Sequence, residues 1–136
     1  MSRTRAALSL AGAVAALAAA GCGGGLDSKA LQTEATGLQA LAAEGSLLAH
    51  DAMRGDTTSP FLRVHARDLE NAASGSASKL AKGTTPAARK LKALADRVSG
   101  DLDSLSRSGS DRAAQGRLER ELSDLADRAE KMGASL

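Results

Sequence analysis

Aromatic side chains are almost missing from this 136-residue chain: Phe61 is the single aromatic residue, and there is no tryptophan or tyrosine. Proteins that bind single-stranded nucleic acid stack bases on aromatic rings, and sugar sites usually present flat aromatic faces. The composition therefore argues against both classes. Cysteine is equally scarce: Cys22 stands alone, so no intramolecular disulfide can form.

A charge excess is also missing. The 18 basic and 16 acidic residues give a formal net charge of +2, and both Arg3 and Arg5 lie ahead of the first acidic residue, Asp27. Without these two arginines, the basic and acidic residues balance. Net charge thus gives no reason to expect a nucleic-acid partner.

The first residues follow the three-part plan of a secretory signal peptide. Arg3 and Arg5 precede an uncharged run over residues 6–20 that is mostly Ala, Leu and Val. A transmembrane helix needs roughly 20 strongly apolar residues, and this alanine-rich run is shorter. We therefore predict a cleaved signal peptide over residues 1–21.

The residues that follow make this prediction more specific. Ala-Ala-Gly-Cys, ending at Cys22, resembles the lipobox of bacterial lipoprotein precursors, with Ala19 at a position where Leu or Val is usual. In that family a diacylglyceryl group is added to the cysteine thiol, and a dedicated peptidase cleaves just before it. The resemblance implies lipidation of Cys22, signal-peptidase recognition of Ala19, Ala20 and Gly21, and anchoring to the outer face of a bacterial cell membrane or outer membrane. Residues 22–26, rich in glycine, form the expected tether.

Four helices are predicted after the tether, over about residues 27–54, 60–82, 86–107 and 111–132. Asp27, Ser59-Pro60 and Thr85-Pro86 are start signals, and the glycines at 55, 83 and 133 are expected to end helices. Gly37 and Gly45, inside the first helix, are expected to allow close approach of a neighbour. The stretch from Ala73 to Ser78 makes the second helix the weakest prediction.

Apolar residues recur at helical spacing in each segment. The predicted core residues are Leu31, Leu38, Leu41, Leu48 and Ala52; Leu62, Ala66, Leu69, Ala73, Ala77 and Leu80; Leu91, Leu94, Val98, Leu102 and Leu105; and Leu118, Leu122, Leu125, Ala129 and Met132. Short connections favour an all-α, up-down-up-down four-helix bundle, in which the repeated start signals suggest two helical hairpins. The narrow stripes also suit a coiled coil, so self-association stays an alternative.

Side chains able to carry chemistry are few. His50 and His65 flank the first turn, but the Glu-x-x-His pattern of metal-binding bundles is absent. Ser76 and Lys79 match a bare Ser-x-x-Lys pattern without the other elements of penicillin-recognising enzymes, which indicates chance. We therefore expect no enzymatic activity, no metal and no cofactor.

One charge pattern has a topological meaning. Five basic residues cluster around the second turn: Lys79, Lys82, Arg89, Lys90 and Lys92. In an up-down-up-down bundle this turn lies at the same end as the tether, together with Arg128 and Lys131 at the end of the last helix. The far end is predicted to carry acidic residues: Asp51, Asp56, Asp101, Asp103 and Asp111. The cluster is therefore predicted to face an anionic membrane surface.

These inferences define a small exported lipoprotein of the bacterial cell envelope. Its helical part is expected to be a non-catalytic structural or protein-binding module. The alternative is an extracytoplasmic carrier of a small ligand or metal, with a site between the helices. The expected partners are the membrane, through the lipid anchor, and a second protein or a second copy of the chain.

Overall fold

The computed structural model describes residues 25–136, which form four α-helices and no strand. The helices are α1 (Ser28–Arg54), α2 (Ser59–Leu80), α3 (Pro86–Ser106) and α4 (Arg112–Ala134). Because the connecting loops are only four or five residues long, successive helices run in opposite directions. The predicted all-α, up-down-up-down bundle is confirmed. The predicted signal peptide and Cys22 lie outside the described residues.

Each helix begins with a side chain that accepts a hydrogen bond from a free backbone N–H of the first turn, as helix starts require. The capping residues are Asp27, Thr58, Thr85 and Asp111. The cap of α2 is Thr58 rather than the predicted Ser59, which is instead its first helical residue. Pro60 and Pro86 both lie in the first turn, where a missing N–H leaves no bond unmade.

The helix ends agree less closely with the sequence expectations. Gly55 adopts φ 79° beyond α1 and donates its N–H to Ala52 O, as predicted for a glycine that stops a helix. By contrast, α2 ends at Leu80, before Gly83, and α4 continues through Gly133 to Ala134. Both glycines are packing residues. A Cβ on Gly83 would lie 2.5 Å from the Cβ of Ala88, and one on Gly133 3.2 Å from the Cβ of Ala35.

The core consists almost wholly of leucine and alanine. All predicted stripe residues of α2 and α3 are buried; in α1 and α4 only Leu41, Ala52 and Met132 are half-buried, and they pack against the core. The second helix is continuous through Ala73–Ser78. Within the described residues 25–136, all four helices contribute buried hydrophobic residues to one contiguous core.

The most extensive helix contacts are those of α1 with α4 and of α2 with α3, while those of α1 with α2 and of α3 with α4 are smaller. Gly45 explains how α1 also reaches the diagonal helix α3: a Cβ there would lie 2.6 Å from Leu102 Cδ2 and 3.2 Å from Leu122 Cδ1. The predicted close approach is therefore found at Gly45. It is absent at Gly37, where a Cβ would meet nothing within 4 Å.

Candidate functional site

The chain enters the bundle beside the α2–α3 loop. A Cβ on Gly25 would lie 3.6 Å from Thr84 Oγ1, and Leu26 Cδ1 lies 3.4 Å from the Cβ position of Gly83. Cys22 precedes Gly25 by three residues, so at most about 10 Å of extended chain separates them. The residue predicted to carry lipid therefore lies close in sequence to this end.

The end of α4 completes the same surface. Met132, Ser135 and Leu136 line one groove with Pro86 and Ala87 at the start of α3. We call this end, formed by residues 25–29, 80–90 and 131–136, the basal end. The opposite end, formed by the loops 55–58 and 107–111, is the distal end.

The five predicted basic residues lie on or near the basal end but differ in their surroundings. Lys79 Nζ lies 3.4 Å from Glu34 Oε1, and Lys92 Nζ lies 2.7 Å from Asp96 Oδ2. Arg89 donates from Nη1 to Thr84 O over 3.3 Å. Lys82 and Lys90 are exposed and form no ion pair within residues 25–136.

Two further lysines belong to this surface. Lys131 is exposed in the last turn of α4, as predicted, and Lys29 is exposed in the first turn of α1. Sequence reasoning missed Lys29, although its closeness to the tether was the available signal. We call the exposed set without a carboxylate partner among the described residues the basal cations: Lys29, Lys82, Arg89, Lys90 and Lys131.

Acidic residues at the two ends have different roles. At the basal end, Asp27 caps α1, and Glu130 lies on the flank of α4 that faces α1. At the distal end, Asp56 pairs with Arg54, while Asp103 pairs with Arg107. Of the acids predicted for the distal end, Asp56 and Asp103 are thus paired and Asp111 is a cap, while Asp51 and Asp101 form no ion pair within residues 25–136.

The basal end also contains an amphipathic groove. Its volume is about 350 Å³, and its lining combines Leu91, Met132 and Leu136 with the exposed amine-bearing side chain of Lys90. The groove lining thus contains both apolar side chains and one cationic side chain. Such a surface matches the chemistry of a lipid interface, where apolar and charged groups meet.

Ser76 and Lys79 do meet, but around a carboxylate rather than at a reactive centre. Ser76 Oγ donates to Glu34 Oε2 over 2.5 Å, and Lys79 Nζ contacts the other oxygen of the same group. The Glu34 side chain is only 16% exposed. This arrangement joins α1 to α2.

The two histidines form separate pairs. His50 Nδ1 lies 3.0 Å from Glu119 Oε1 of α4, whereas His65 Nε2 lies 2.8 Å from Glu44 Oε1 of α1. The rings therefore engage different helix pairs. Among residues 25–136, no group of three His, Cys, Asp or Glu side chains is arranged to hold a metal ion.

A small polar cavity lies at the distal end. Its volume is about 150 Å³, and Thr57, Ser59, Ser110, Arg112 and Gln115 contribute polar side chains to its lining. Gln115 is 1% exposed. Its Nε2 donates to Gly109 O over 2.9 Å, while its Oε1 accepts no hydrogen bond from the described residues.

Asp101 is the one described side chain with a clearly displaced pKa. Burial raises the pKa of Asp101, the neighbouring Glu121 carboxylate raises it further, and Arg97 opposes the shift. Its Oδ2 is buried without a hydrogen-bond partner in residues 25–136. Two carboxylates thus face each other between α3 and α4.

Three large apolar side chains are exposed: Leu47, Phe61 and Val64. They lie on α1 and α2 in the distal half of the bundle, and the Phe61 ring stacks on His65 with centroids 5.5 Å apart. These three residues were not singled out from the sequence, because they fall outside the apolar stripes of α1 and α2.

The fold defines the class of protein: an all-α four-helix bundle. Comparison of the chain with protein-family models, with curated proteins and with solved structures finds no match. Within residues 25–136, no helix combines the length and apolarity needed to cross a bilayer.

Proposed function

We propose that this protein is a lipid-anchored component of the bacterial cell envelope whose helical bundle acts as a non-catalytic structural or protein-binding module. The observation that carries the proposal is the placement of the basal end. The chain leaves Ala-Ala-Gly-Cys and, three residues later, meets the bundle at the surface that carries the basal cations. An anchored Cys22 would therefore hold that surface, and no other, against the membrane.

The side chains best suited to chemistry support a structural rather than a catalytic role. His50, His65 and Ser76 each bond a carboxylate of another helix. These bonds join helices and do not bring a nucleophile, a base and an orienting group together. The exposed Leu47, Phe61 and Val64, all in the distal half, are the large apolar side chains most accessible to a protein partner.

The anchor is tested on the full chain in a bacterium that processes lipoproteins. Mass spectrometry of the purified product should find residues 1–21 removed and Cys22 carrying a diacylglyceryl group and palmitate-type acyl chains. Cys22→Ser should release the protein from envelope membranes, since two or more acyl chains are needed for stable anchoring. A free Cys22 thiol in the wild-type product would contradict the proposal.

The partner-binding role is tested by site-specific photocrosslinking in the same cells. A crosslinking side chain at Val64 should capture a discrete partner or a second copy. The same group at Ser78, which is also exposed on α2 but lies near the basal end, should not capture it. Equal products from both positions would count against a defined partner surface.

A small-ligand carrier is the second candidate, favoured by the distal cavity and the unpartnered Oε1 of Gln115. A ligand there would have to donate a hydrogen bond and fit about 150 Å³. Native mass spectrometry of envelope-purified protein should then detect a bound small molecule that Gln115→Leu releases. Detection of only the mass of the protein itself would contradict the carrier function.

A further inference from the structure

We propose that the basal end is a docking surface for an anionic phospholipid bilayer and holds the bundle upright on the membrane. The proposal deepens the lipid-anchored role by naming the lipid chemistry and the orientation. It rests on the proposed lipid anchor only for which membrane is bound, because the docking surface consists of described residues.

The first argument is the location of unbalanced charge. The five basal cations are exposed and form no ion pair within residues 25–136, and several arginines elsewhere on the bundle share this property. What distinguishes the basal end is the scarcity of acids: its residues 25–29, 80–90 and 131–136 contain these five basic residues and one acidic residue, Asp27. Asp27 faces its own helix start as a cap, and Glu130 lies towards the α1 flank. The outward basal surface therefore keeps an excess of positive charge.

The second argument is that part of this charge opposes the stability of its own helix. Lys82 follows the end of α2, where a cation is favourable, so helix stability alone accounts for it. Arg89 and Lys90 lie in the first turns of α3, where positive charge is unfavourable. An anionic surface compensates for this placement, which internal packing does not explain.

The third argument is the apolar component beside the charges. Leu26, Met132 and Leu136 are half-buried around the basal end, and the groove beside Lys90 is lined in part by apolar side chains. A bilayer interface accepts apolar side chains and attracts cations at the same depth. The basal end offers both in one surface, whereas the distal end also carries the acids Asp56, Asp103 and Asp111.

The test uses a soluble form that begins at Gly23 and keeps all four helices, which share one contiguous core within residues 25–136. Sedimentation with phosphatidylcholine vesicles is compared with sedimentation with vesicles that also contain phosphatidylglycerol. We expect binding only to the anionic vesicles, and we expect added salt to abolish it. Equal binding to both vesicle types, or none to either at low salt, overturns the proposal.

Matched variants identify the surface responsible. Lys82→Gln/Lys90→Gln removes two basal cations, and Arg63→Gln/Arg67→Gln removes two exposed cations of the distal half with the same change in net charge. At up to about fivefold per cation, the basal variant should bind up to about 25-fold more weakly and the distal variant should be unchanged. Equal losses would show an effect of net charge alone and overturn the proposal.

Unfolding does not explain a loss in the basal variant. Neutralising Lys90 removes an unfavourable charge from the start of α3, so its circular dichroism and melting temperature should equal or exceed those of the wild type. If the melting temperature of the double variant fell together with its binding, the single variant Lys90→Gln would be measured instead. Its binding to anionic vesicles is expected to fall up to about fivefold. Unchanged binding by Lys90→Gln would overturn the proposal.

Orientation gives an independent readout. The soluble form has no cysteine, so Ser135→Cys and Ser110→Cys each place one fluorophore at an exposed basal or distal position. A lipid-attached quencher should quench the first and not the second. Equal quenching overturns the upright orientation. An unmodified Cys22 in the host would defeat only the anchoring proposal, while binding by the soluble form tests the surface itself.

Discussion

Glu34 shows how a single residue can join two helices of a bundle whose core is otherwise apolar. A half-buried carboxylate loses hydration, and the loss is offset only when donors replace the water. Here the donors are Ser76, itself 8% exposed, and Lys79, whose side chain is 68% exposed. Because exposed ion pairs contribute little, the serine is expected to be the more important of the two donors.

Ser76→Ala should therefore lower the free energy of unfolding by about 1–2 kcal/mol, in the range for losing a bond to a charged group. Ser78→Ala is the matched control: its hydroxyl donates to Ser74 O of its own helix and is exposed. That change should stay within about 0.5 kcal/mol. Urea denaturation of both variants measures the two changes in the free energy of unfolding. Equal changes would show that the hydrogen bond from Ser76 to Glu34 does not contribute to stability.

Glycines of α1 give opposite predictions at two positions. Gly37→Ala fills open space and should stabilise the protein by about 1 kcal/mol through helix propensity. Gly45→Ala gains the same amount but forces a methyl group against Leu102, and overpacking of a core costs about 1–3 kcal/mol. The second variant should therefore melt at a lower temperature than the wild type. Thermal unfolding measures both changes in melting temperature. A higher melting temperature for both variants would show that Gly45 does not pack tightly against Leu102.

At the scale of the helices, the sequence was sufficient for what local chemistry determines. The caps at Asp27 and Thr85 and the stop at Gly55 follow from residue type. The stripes of α2 and α3 follow from period alone, since every predicted residue is buried. These features depend on neighbours within one or two turns, which a single sequence displays.

Features that depend on distant contacts were not predictable in this way. Gly83 and Gly133 have the residue type of a stop signal, but they serve close packing between segments. The pairing of α1 with α4 and of α2 with α3 leaves no trace in periodicity. The contact of Lys79 with Glu34 likewise depends on the register between α1 and α2. That register is the reason why Lys79, unlike Lys82 and Lys90, has a carboxylate partner among the described residues.

The α3–α4 contact yields a prediction for pH. Since burial and Glu121 raise the pKa of Asp101, the folded state holds this proton more tightly than the unfolded chain does, and stability falls as pH rises. The stabilisation is complete below about pH 3.9, the ordinary pKa of aspartate. It is lost as pH rises through the raised pKa.

Asp101→Asn should accordingly stabilise the protein at pH 7, by less than about 1 kcal/mol because the site is only partly buried. The gain should vanish on acidification below about pH 4. Asp103→Asn, which removes the exposed ion pair with Arg107, is the control and should give no such gain. Denaturation curves at both pH values test this, and a gain that persists in acid would contradict the mechanism.

The whole molecule is organised around one thin core, in which α1, α3 and α4 meet at Gly45, Leu102 and Leu122. A domain of this size is stabilised by roughly 5–15 kcal/mol in total. A change at the point where three helices meet therefore affects the stability of all of them. It does not loosen one helix separately, so the bundle is expected to unfold as a single unit.

A double-mutant cycle tests this meeting point. Leu102→Ala should cost about 2–5 kcal/mol because it leaves a cavity, and the cavity lies where a methyl group on residue 45 would stand. Gly45→Ala should therefore destabilise the wild type but stabilise the Leu102→Ala protein, with a coupling energy of about 1–3 kcal/mol. Gly37→Ala, which touches nothing, should have the same effect in both backgrounds. If Gly45→Ala changed the free energy of unfolding equally in both backgrounds, the result would contradict the packing of α1 against Leu102 of α3.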